Sequence, residues 1–563
     1  MKHIFLWILL PLFQIQLSGQ TITVPTDHFS IDTEKKMIVI NQSVNIINSN
    51  HPQAKQTLYL DANYQLTSSV NEFATGQSYL VKNQITNTEF ALYFTQLPII
   101  KIDCDTEIPD EPRVLSHFTM VESNGNKTDS KLGIEVRGGS SQSYPKKSYR
   151  IEFWADDKGE ETLDYQLLGM RSDDDWNLQA MYNEPLRLRN KTSFELWREI
   201  NTLYYQSSEP EAINGVRMEY AELFLNSSYK GIYAVGERID RKQLKLKKHN
   251  GKIRGELYKG VSWGAPTFTD LPPFKNGDVR WSGFEYDYPD EIAPQWNNLF
   301  GFVDFVINAE NNVFYANYKS KVQPDNAVDY YIFLNLLNAV DNAGKNIYTA
   351  RYNANEPYFF VPWDLDGVFG RYYDGSRYDS VTMQLSNGLY NRLWEDRATD
   401  GFYAKIKQRW SDLRKTVITP ESIYNRFFEH YSYLKQNGTY EREKLAWKNY
   451  VFDENELNYI LDWTERRIAY LDKLFALNDD TQVPSISKQN IKIYPNPVTD
   501  LLWVEVEENA DLIISIYSMT GQLLIQQPIQ HQSFISLKNL SQGIYFYRIE
   551  SSNASYSGKI IKK

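Results

Sequence analysis

The sequence predicts an α+β fold, in which a central domain of two lobes lies between two smaller β domains. Three observations support this prediction. Short runs of alternating apolar and polar residues fill the first part of the chain, as in half-buried strands. The same alternation returns in the last part of the chain. Between them, strand-like patterns come first and helix-like patterns follow.

Residues 1–19 have the features of a secretory signal peptide. Lys2 precedes an apolar run from Ile4 to Phe13, and the small residues Ser18 and Gly19 follow. That run is too short to be a membrane span, and no later stretch has about 18 consecutive apolar residues. We therefore expect an exported chain with no transmembrane segment after cleavage.

Four further segments complete the predicted organisation. Residues 20–96 form a small β domain, because segments such as KMIVINQSVNIINS alternate between turn residues. Residues 97–477 form the central domain, with strands such as YAELFLNSSYKGIYAVGERI before helices such as DNAVDYYIFLNLLNAV. Residues 478–490 form a polar linker. Residues 491–563 carry short strands separated by turns, as in a small β-sandwich.

Composition argues against several classes of function. The net charge of −11 argues against nucleic acid as the main partner. The single cysteine, Cys104, cannot form an internal disulfide, and we expect it to be a small buried residue. The histidines lack the H-x-x-x-H spacing of many zinc hydrolases, and no G-x-S-x-G surrounds Ser140 or Ser141.

The stretch from Asp341 to Gly367 predicts a cluster of oxygen ligands. A helix with one face formed by Val328, Ile332, Leu336 and Val340 should end near Val340, just before Asp341. The following segments IYTARY, NANEP and YFFV predict a strand, a turn and a strand. A hairpin brings its ends together, so Asn346 should lie within a residue or two of the position opposite Asp364.

Carboxylates gathered in this way repel one another unless a cation or a proton joins them. Asp341, Asn346, Asp364 and Asp366 therefore predict a site for a hard divalent ion, Mg²⁺ or Mn²⁺. The spacing Asp341-x-x-x-x-Asn346 also matches the catalytic loop of protein kinases, in which the aspartate accepts a proton and the asparagine holds a metal. The alternative interpretation is an aspartate at a helix end beside a solvated hairpin.

The stretch RGGSSQSYPKKSYRIEF, residues 137–153, predicts a site for phosphate. Its Gly/Ser turn, which includes Ser140 and Ser141, can offer backbone N–H groups to an anion. Lys147 shares strand parity with the apolar residues of the next strand, whereas Lys146 shares parity with its polar residues. A lysine on the apolar side needs a partner such as phosphate, unless it reaches solvent from the strand end.

Five motifs resemble those of the CotH family, which is named for a spore-coat protein: LPIIKID, RGGSSQSYPKKSYRIEF, NEPLRLRN, LFLNSSYKGIYAVGERID and PWDLDGVFG. The resemblance spans about residues 97–477. It implies a bilobal domain similar to protein kinases, which transfers phosphate from ATP with a divalent metal.

The resemblance also implies roles for individual residues. Asp341 becomes the catalytic-loop aspartate. Asn346 and Asp364 become metal ligands. Lys146 or Lys147 becomes the phosphate-binding lysine, Arg137 belongs to the phosphate-side motif, and Glu237 lies near the nucleotide hinge. Glu184 stands where the family pattern has an aspartate, which leaves the partner of the lysine open.

The tail resembles the sorting domain of type IX secretion substrates in Bacteroidetes. The segments YPNPVTD, IYSMTGQLL and LSQGIYFYRI and the lysine-ended last strand carry this resemblance. It implies that the type IX secretion machinery is a partner, and that the protein is secreted or held at the cell surface.

The leading hypothesis is an exported kinase that phosphorylates a protein or another hydroxyl acceptor. One alternative is an inactive kinase fold that serves as a surface adhesin or matrix protein. A second is a carbohydrate-active protein, which would use exposed aromatic residues, with Trp263, Trp281 and Trp296 as the candidates, together with the abundant carboxylates. The acidic segment RSDDDW, residues 171–176, predicts either a Ca²⁺ site or a solvated loop.

Overall fold

The computed structural model describes residues 20–475, 491–506, 512–518, 522–529, 532–550 and 555–563. The predicted signal peptide and the predicted linker at 478–490 lie outside these residues. The chain divides into two compact units, Met1–Leu471 and Asp472–Lys563. Both strands and helices are abundant, so the predicted α+β class is confirmed.

The first sheet of the larger unit contains seven strands in the order β1-β4-β5-β6-β7-β3-β2. One short helix, α1, interrupts the strand sequence. The bounds are β1 Gln20–Thr23, β2 Phe29–Asp32, β3 Met37–Ile40, α1 Val44–Asn50, β4 Lys55–Tyr59, β5 Asn63–Val70, β6 Ser78–Asn83 and β7 Glu89–Phe94.

A closed barrel follows, with the strand order β10-β11-β14-β16-β15-β8-β9. Alternate residues of its strands fill the interior, as Tyr149, Ile151 and Phe153 do on β11. The bounds are β8 Ile99–Asp103, β9 Val114–Val121, β10 Lys127–Arg137, β11 Ser148–Trp154, β12 Tyr165–Gln166, β13 Ser172–Asp173, β14 Asp175–Gln179, α2 Arg189–Ile200, β15 Met218–Leu225, β16 Ser228–Gly236 and α3 Arg241–Leu244. Strands β12 and β13 form a separate pair.

A second sheet, in the order β18-β19-β17-β20-β21, packs with helices. Its elements are β17 Glu256–Gly260, β18 Arg280–Trp281, β19 Phe284–Tyr288, α4 Asn297–Asn308, α5 Asn311–Asn317, α6 Pro324–Leu337, β20 Ile347–Arg351 and β21 Tyr358–Pro362. Helix α6 is buried along most of its length, as expected for a helix that is apolar around much of its circumference. It ends three residues before the predicted position, because Asn338 adopts a left-handed conformation with φ of 53° and closes the last turn.

Five helices complete the larger unit: α7 Gly388–Trp394, α8 Phe402–Arg414, α9 Pro420–Gln436, α10 Thr439–Ala446 and α11 Glu456–Leu474. Helix α10 packs against strand β16 of the barrel. Its Arg442 also lies over the ring of Tyr93 from β7, so α10 contacts both the barrel and the first sheet.

The described residues of the smaller unit form two sheets, in the orders β22-β23-β26 and β25-β24-β27-β28. Apolar residues of both sheets form one core, which includes Leu502, Ile514 and Ile549. The bounds are β22 Ile491–Tyr494, β23 Leu501–Val506, β24 Leu512–Tyr517, β25 Leu523–Ile529, β26 Gln532–Ser536, β27 Gly543–Glu550 and β28 Ser555–Lys562. Among the helices of the described residues, none combines the length and the apolar character that a membrane crossing requires.

Candidate active site

A cleft of about 480 Å³ lies between the barrel and the second sheet. The barrel contributes the end of β10, the turn after it and part of β14. The second sheet contributes the ends of β17, β20 and β21 and the loop before β20. The predicted site residues that line this cleft are Arg137, Ser140, Ser141, Lys146, Asp341, Asn346, Asp364 and Asp366.

The hairpin β20–β21 places the two predicted ligand segments side by side. Ile347 pairs with Pro362, and the N–H of Trp363 donates to the carbonyl of Asn346 at 2.9 Å. Asn346 and Asp364 therefore lie next to each other at one end of the sheet. Both have a left-handed backbone, with φ of 55° and 51°. Such conformations are uncommon outside glycine and are concentrated at functional sites.

Asn342 fixes the loop before the hairpin. Its side-chain amide donates to the carbonyl of Asn346 at 2.8 Å and to that of Trp363 at 2.7 Å. The hydroxyl of Tyr330 on α6 donates to the carbonyl of Asn342 at 2.9 Å. One asparagine thus joins the helix, the loop and both strands of the hairpin, a role that the sequence analysis missed.

The motif NEPLRLRN supports the segment that carries Asp364 and Asp366. The side-chain oxygen of Asn190 accepts from the N–H of Leu365 at 3.1 Å. The buried guanidinium of Arg189 donates to the carbonyl of Val368 at 2.9 Å. Two motifs that are far apart in sequence therefore act as one supporting structure.

Among the aspartates of the cleft, Asp364 raises the pKa values of both Asp341 and Asp366. Burial raises the pKa of Asp341, and the charge of Asp364 raises it further, whereas Lys345 opposes the shift from 3.8 Å away. Burial and the charges of Asp364 and Asp341 raise the pKa of Asp366 well above its usual range. A cation between these carboxylates would relieve the repulsion.

The donor chemistry of this group fits a hard divalent ion, because carboxylate and amide oxygens are its preferred ligands. The aspartates are not drawn together into a tight cage, however. Within the described part of the chain, only Asp164, Asp173 and Asp174 bring three ligand atoms within 4.8 Å of one another.

That other acidic group is already neutralised by a protein cation. The ammonium of Lys242 lies 3.0 Å from Asp173 and 2.8 Å from Asp174. Asp173 is buried and also pairs with Arg171. The RSDDDW segment is therefore an ion-pair network and differs from the solvated loop that the sequence analysis considered.

The turn after β10 approaches the cleft closely. Gly138 has a φ of 113°, and a Cβ there would lie 2.0 Å from the side-chain oxygen of Ser141. The position therefore requires glycine. The turn from Ser140 to Ser143 forms a single 3₁₀ turn, and both Ser140 and Ser141 face the cleft.

The two lysines of the Gly/Ser motif have different environments. Lys146 is buried, and its ammonium donates to Glu443 and to the carbonyl of Ile232, both at 2.6 Å. Lys147 is half-buried and donates to the carbonyl of Gln142. The strand begins only at Ser148, so the strand parity used in the sequence analysis does not extend to either lysine.

Glu443 on α10 is thus the carboxylate partner of Lys146, and the sequence analysis missed it. Glu184, which the family pattern singled out, instead accepts from Arg189 at 3.1 Å. Glu237 is buried, pairs with Arg217 at 2.6 Å and accepts from the N–H of Arg171. The lining of the cleft, as far as the described residues show it, includes neither Glu237 nor Lys147.

Five further basic residues line the cleft without having been predicted: Arg150, Arg238, Lys259, Arg280 and Lys345. Lys259 lies on β17, a segment for which the sequence analysis made no prediction.

Of the tryptophans that motivated a carbohydrate site, Trp281 and Trp296 are buried, with 5% and 0% of their surface exposed. Trp263 alone of the three is exposed, so they do not form a common binding surface.

The comparisons with known proteins agree with this architecture. The family model for CotH kinase protein matches residues 134–471. The model for a secretion system C-terminal sorting domain matches residues 492–563. The inner spore coat protein H of Bacillus subtilis (strain 168) is 25% identical over 346 residues, which cover 60% of this chain and 86% of that protein. The sorting domain indicates type IX secretion, to the cell surface or into the medium.

Proposed function

The chain belongs to the CotH kinase protein family, and from this premise we propose that it is an exported phosphotransferase that uses ATP and a divalent metal. The barrel and the second sheet with its helices serve as the two lobes of a kinase-like domain. The acceptor is a hydroxyl group of a protein or of another surface molecule. The observation that carries the proposal is the cleft, in which Asp341, Asn346, Asp364 and Asp366 lie together with basic side chains.

Asp341 is the residue we assign to the acceptor. It lies, half-buried, in the loop after α6. Because its pKa is raised, it accepts a proton more readily than an ordinary surface carboxylate does. In this role Asp341 orients the acceptor hydroxyl and takes its proton. Lys345, 3.8 Å away, opposes the rise in the pKa of Asp341 and so favours the charged form of its carboxylate.

Asn346, Asp364 and Asp366 are the residues we assign to the metal. A bound Mg²⁺ or Mn²⁺ would neutralise charge on the transferred phosphate. The side chain of Asn342 binds the carbonyls of Asn346 and of Trp363, which precedes Asp364, and so fixes the backbone from which these ligands project. The Gly/Ser turn at Ser140 and Ser141 offers backbone N–H groups on the opposite side of the cleft.

The test is transfer of labelled phosphate from ATP by the purified chain, with Mg²⁺ or Mn²⁺. Asp341→Asn should leave ATP affinity nearly unchanged and reduce transfer by about 10²–10⁴-fold, the usual effect of losing a general base. Asp364→Asn should weaken metal-dependent ATP binding and transfer together. Asp325→Asn, at an exposed position early in α6, is the matched control and should change neither.

The outcomes separate the proposal from its main alternative. Binding of metal and ATP without transfer to any common acceptor would favour the inactive kinase fold. Absence of both binding and transfer would show that the aspartate cluster supports the fold alone.

A further inference from the structure

Seven basic side chains line the cleft within the described residues: Arg137, Lys146, Arg150, Arg238, Lys259, Arg280 and Lys345. Five of them have a carboxylate within 4 Å. Lys146 pairs with Glu443, Arg150 and Arg238 with Asp175, Arg280 with Glu285, and Lys345 with Asp341. Arg137 and Lys259 form no ion pair or hydrogen bond through their side chains to any residue in the described part of the chain.

Arg137 and Lys259 also share one neighbour. The guanidinium carbon of Arg137 and the ammonium of Lys259 each lie 5.6 Å from the centre of the Trp363 ring. Lys259 also lies 5.9 Å from the ring of Tyr348, with which it pairs across strands β17 and β20. An aromatic ring attracts a cation but supplies no hydrogen-bond acceptor to it. The donors of both side chains therefore remain available to a ligand in the cleft.

Two half-buried cations close to one aromatic ring repel each other. Burial lowers the pKa of both groups, and the charge of Arg137 lowers the pKa of Lys259 further. Asp364 attracts Arg137, and Asp287 and Glu285 attract Lys259, without forming ion pairs. An anion between the two cations would remove this repulsion and satisfy their donors.

We propose that Arg137 and Lys259, together with the ring of Trp363, hold the polyphosphate of the nucleotide, and that this role does not belong to Lys146 or Lys147. Lys146 is fully buried, and its ammonium is committed to Glu443 and to the carbonyl of Ile232. Lys147 lies outside the cleft lining. Arg137 is adjacent to the Gly/Ser turn, and Lys259 is adjacent to Gly260, whose carbonyl accepts from the N–H of Asn346 at 2.9 Å. The pair therefore connects the turn with the metal-ligand segment.

This inference rests on the proposed function, because it deepens the description of the same cleft. Its ligand class is a chain of phosphates with at least two negative charges, which a guanidinium can bind through two parallel hydrogen bonds. The interaction needs neither the metal nor turnover, so it can be measured separately from activity.

The experiment is calorimetric titration of the purified full chain with inorganic tripolyphosphate, without metal and at low salt. Lys259→Gln and Arg137→Gln should each weaken binding by about 10-fold or more, as expected for the loss of a charge-assisted hydrogen bond. Arg280→Gln is the matched control, because Arg280 lines the same cleft but is exposed and paired with Glu285. It should change the affinity by less than about twofold.

Thermal melts will show whether each variant folds. If Arg137→Gln does not fold, Arg137→Lys keeps the charge and should retain part of the binding, while Lys259→Gln remains decisive. The inference would be overturned if Lys259→Gln bound tripolyphosphate as tightly as the wild type. It would also be overturned if Lys259→Gln and Arg280→Gln lost affinity equally, or if the wild type did not bind tripolyphosphate.

The same variants distinguish this inference from the proposed function. Tripolyphosphate binding that depends on Arg137 and Lys259, without phosphate transfer, would support the anion site and contradict the proposed enzymatic activity. Phosphate transfer by the wild type, with a tripolyphosphate affinity that Lys259→Gln does not change, would support the proposed enzymatic activity and contradict this anion site.

Discussion

Lys146 and Glu443 form an ion pair in which neither side chain is exposed to solvent. Arg187 also contacts Glu443, at 3.0 Å, so one carboxylate serves two buried cations. Burial lowers the pKa of Lys146 to about 7, although Glu443 opposes that shift. Removing one member of such a group leaves charge without a partner, which costs more than the pair itself contributes.

We therefore expect Glu443→Gln to destabilise the larger unit by about 3–5 kcal/mol, because Lys146 and Arg187 would lose their carboxylate. Urea unfolding followed by fluorescence would measure the change. The matched control is Asp400→Asn, which breaks an exposed pair with Lys319 and should cost less than about 1 kcal/mol. Equal effects of the two substitutions would contradict the importance of burial.

Sequence reasoning could not identify Glu443, because it lies on helix α10, 297 residues from Lys146 in the loop before β11. Local periodicity also gave no information about the two lysines, since they precede the first residue of β11. By contrast, the cluster of Asp341, Asn346, Asp364 and Asp366 followed from local patterns alone. Each of its members lies within a few residues of a helix end or a hairpin end.

At the scale of elements, the hairpin β20–β21 was the most predictable part of the site. The segments IYTARY and YFFV are short, and the turn between them contains Asn and Pro, so reflection about the turn placed Asn346 within a residue or two of the position opposite Asp364. The observed pairing of Ile347 with Pro362 puts it one residue from that position. The supporting contacts were not predictable. Asn342, Asn190 and Arg189 act through backbone carbonyls and N–H groups, which leave no pattern in a single sequence.

Helix α11 also supports the segment after Asp366. Glu456, its first residue, accepts from Arg189 at 2.7 Å, from Arg371 at 2.6 Å and from Arg377 at 3.0 Å. Burial alone would raise the pKa of this carboxyl, but the hydrogen bond from Arg371 and the charges of Arg189 and Arg371 lower it to about 2. The helix end is therefore stabilised by a charge that acid would remove.

This pKa shift gives the larger unit a defined dependence on acid. The unfolded carboxyl has a pKa near 4.5 and the folded one about 2, so the unfolded state binds more protons between these values. The stabilisation is fully present above the unfolded value and is lost as the pH falls through the folded value. It amounts to about 3 kcal/mol at neutral pH.

The free energy of unfolding, measured from pH 6 to about 2, should show this loss. In Glu456→Gln the corresponding part of the acid dependence should disappear, with stability already reduced at neutral pH. Glu441→Gln, at an exposed position on α10, should leave the acid dependence unchanged. If the free energy of unfolding fell with pH in the same way in wild type and Glu456→Gln, Glu456 would not be the source of the acid dependence.

At the scale of the whole molecule, the first sheet shares a core with the barrel. Met37, Val39 and Tyr93 pack against Phe224 and Tyr229 in one cluster. The N–H of Gln96 donates to the side chain of Asn437 at 2.6 Å, next to helix α10. Alternation in the sequence predicted the strands of residues 20–96, but it contained no information about this contact, which joins residues 341 positions apart.

Deletion of residues 20–96 should therefore destabilise what remains. It exposes Phe224 and Tyr229 and removes the ring of Tyr93 from Arg442, on the helix that carries Glu443. We expect residues 97–475 to be less soluble and to melt at a lower temperature than residues 20–475. Equal melting temperatures would show that the shared core contributes little.

Deletion of residues 491–563 should have the opposite result. The smaller unit has its own core, formed by residues of its two sheets, including Val498, Leu512 and Ile560. The cores of the larger unit contain none of these residues, so the loss of the tail should leave its melting temperature and its tripolyphosphate affinity unchanged. The sorting domain, however, directs type IX secretion, so the truncated chain should remain in the periplasm. Fractionation of cells that express the truncated chain, the full chain and Asp341→Asn would test this.

Asp341→Asn keeps the tail and should reach the surface or the medium like the full chain, because export and catalysis depend on different units. Surface display of the truncated chain at the level of the full chain would show that another segment carries the export signal.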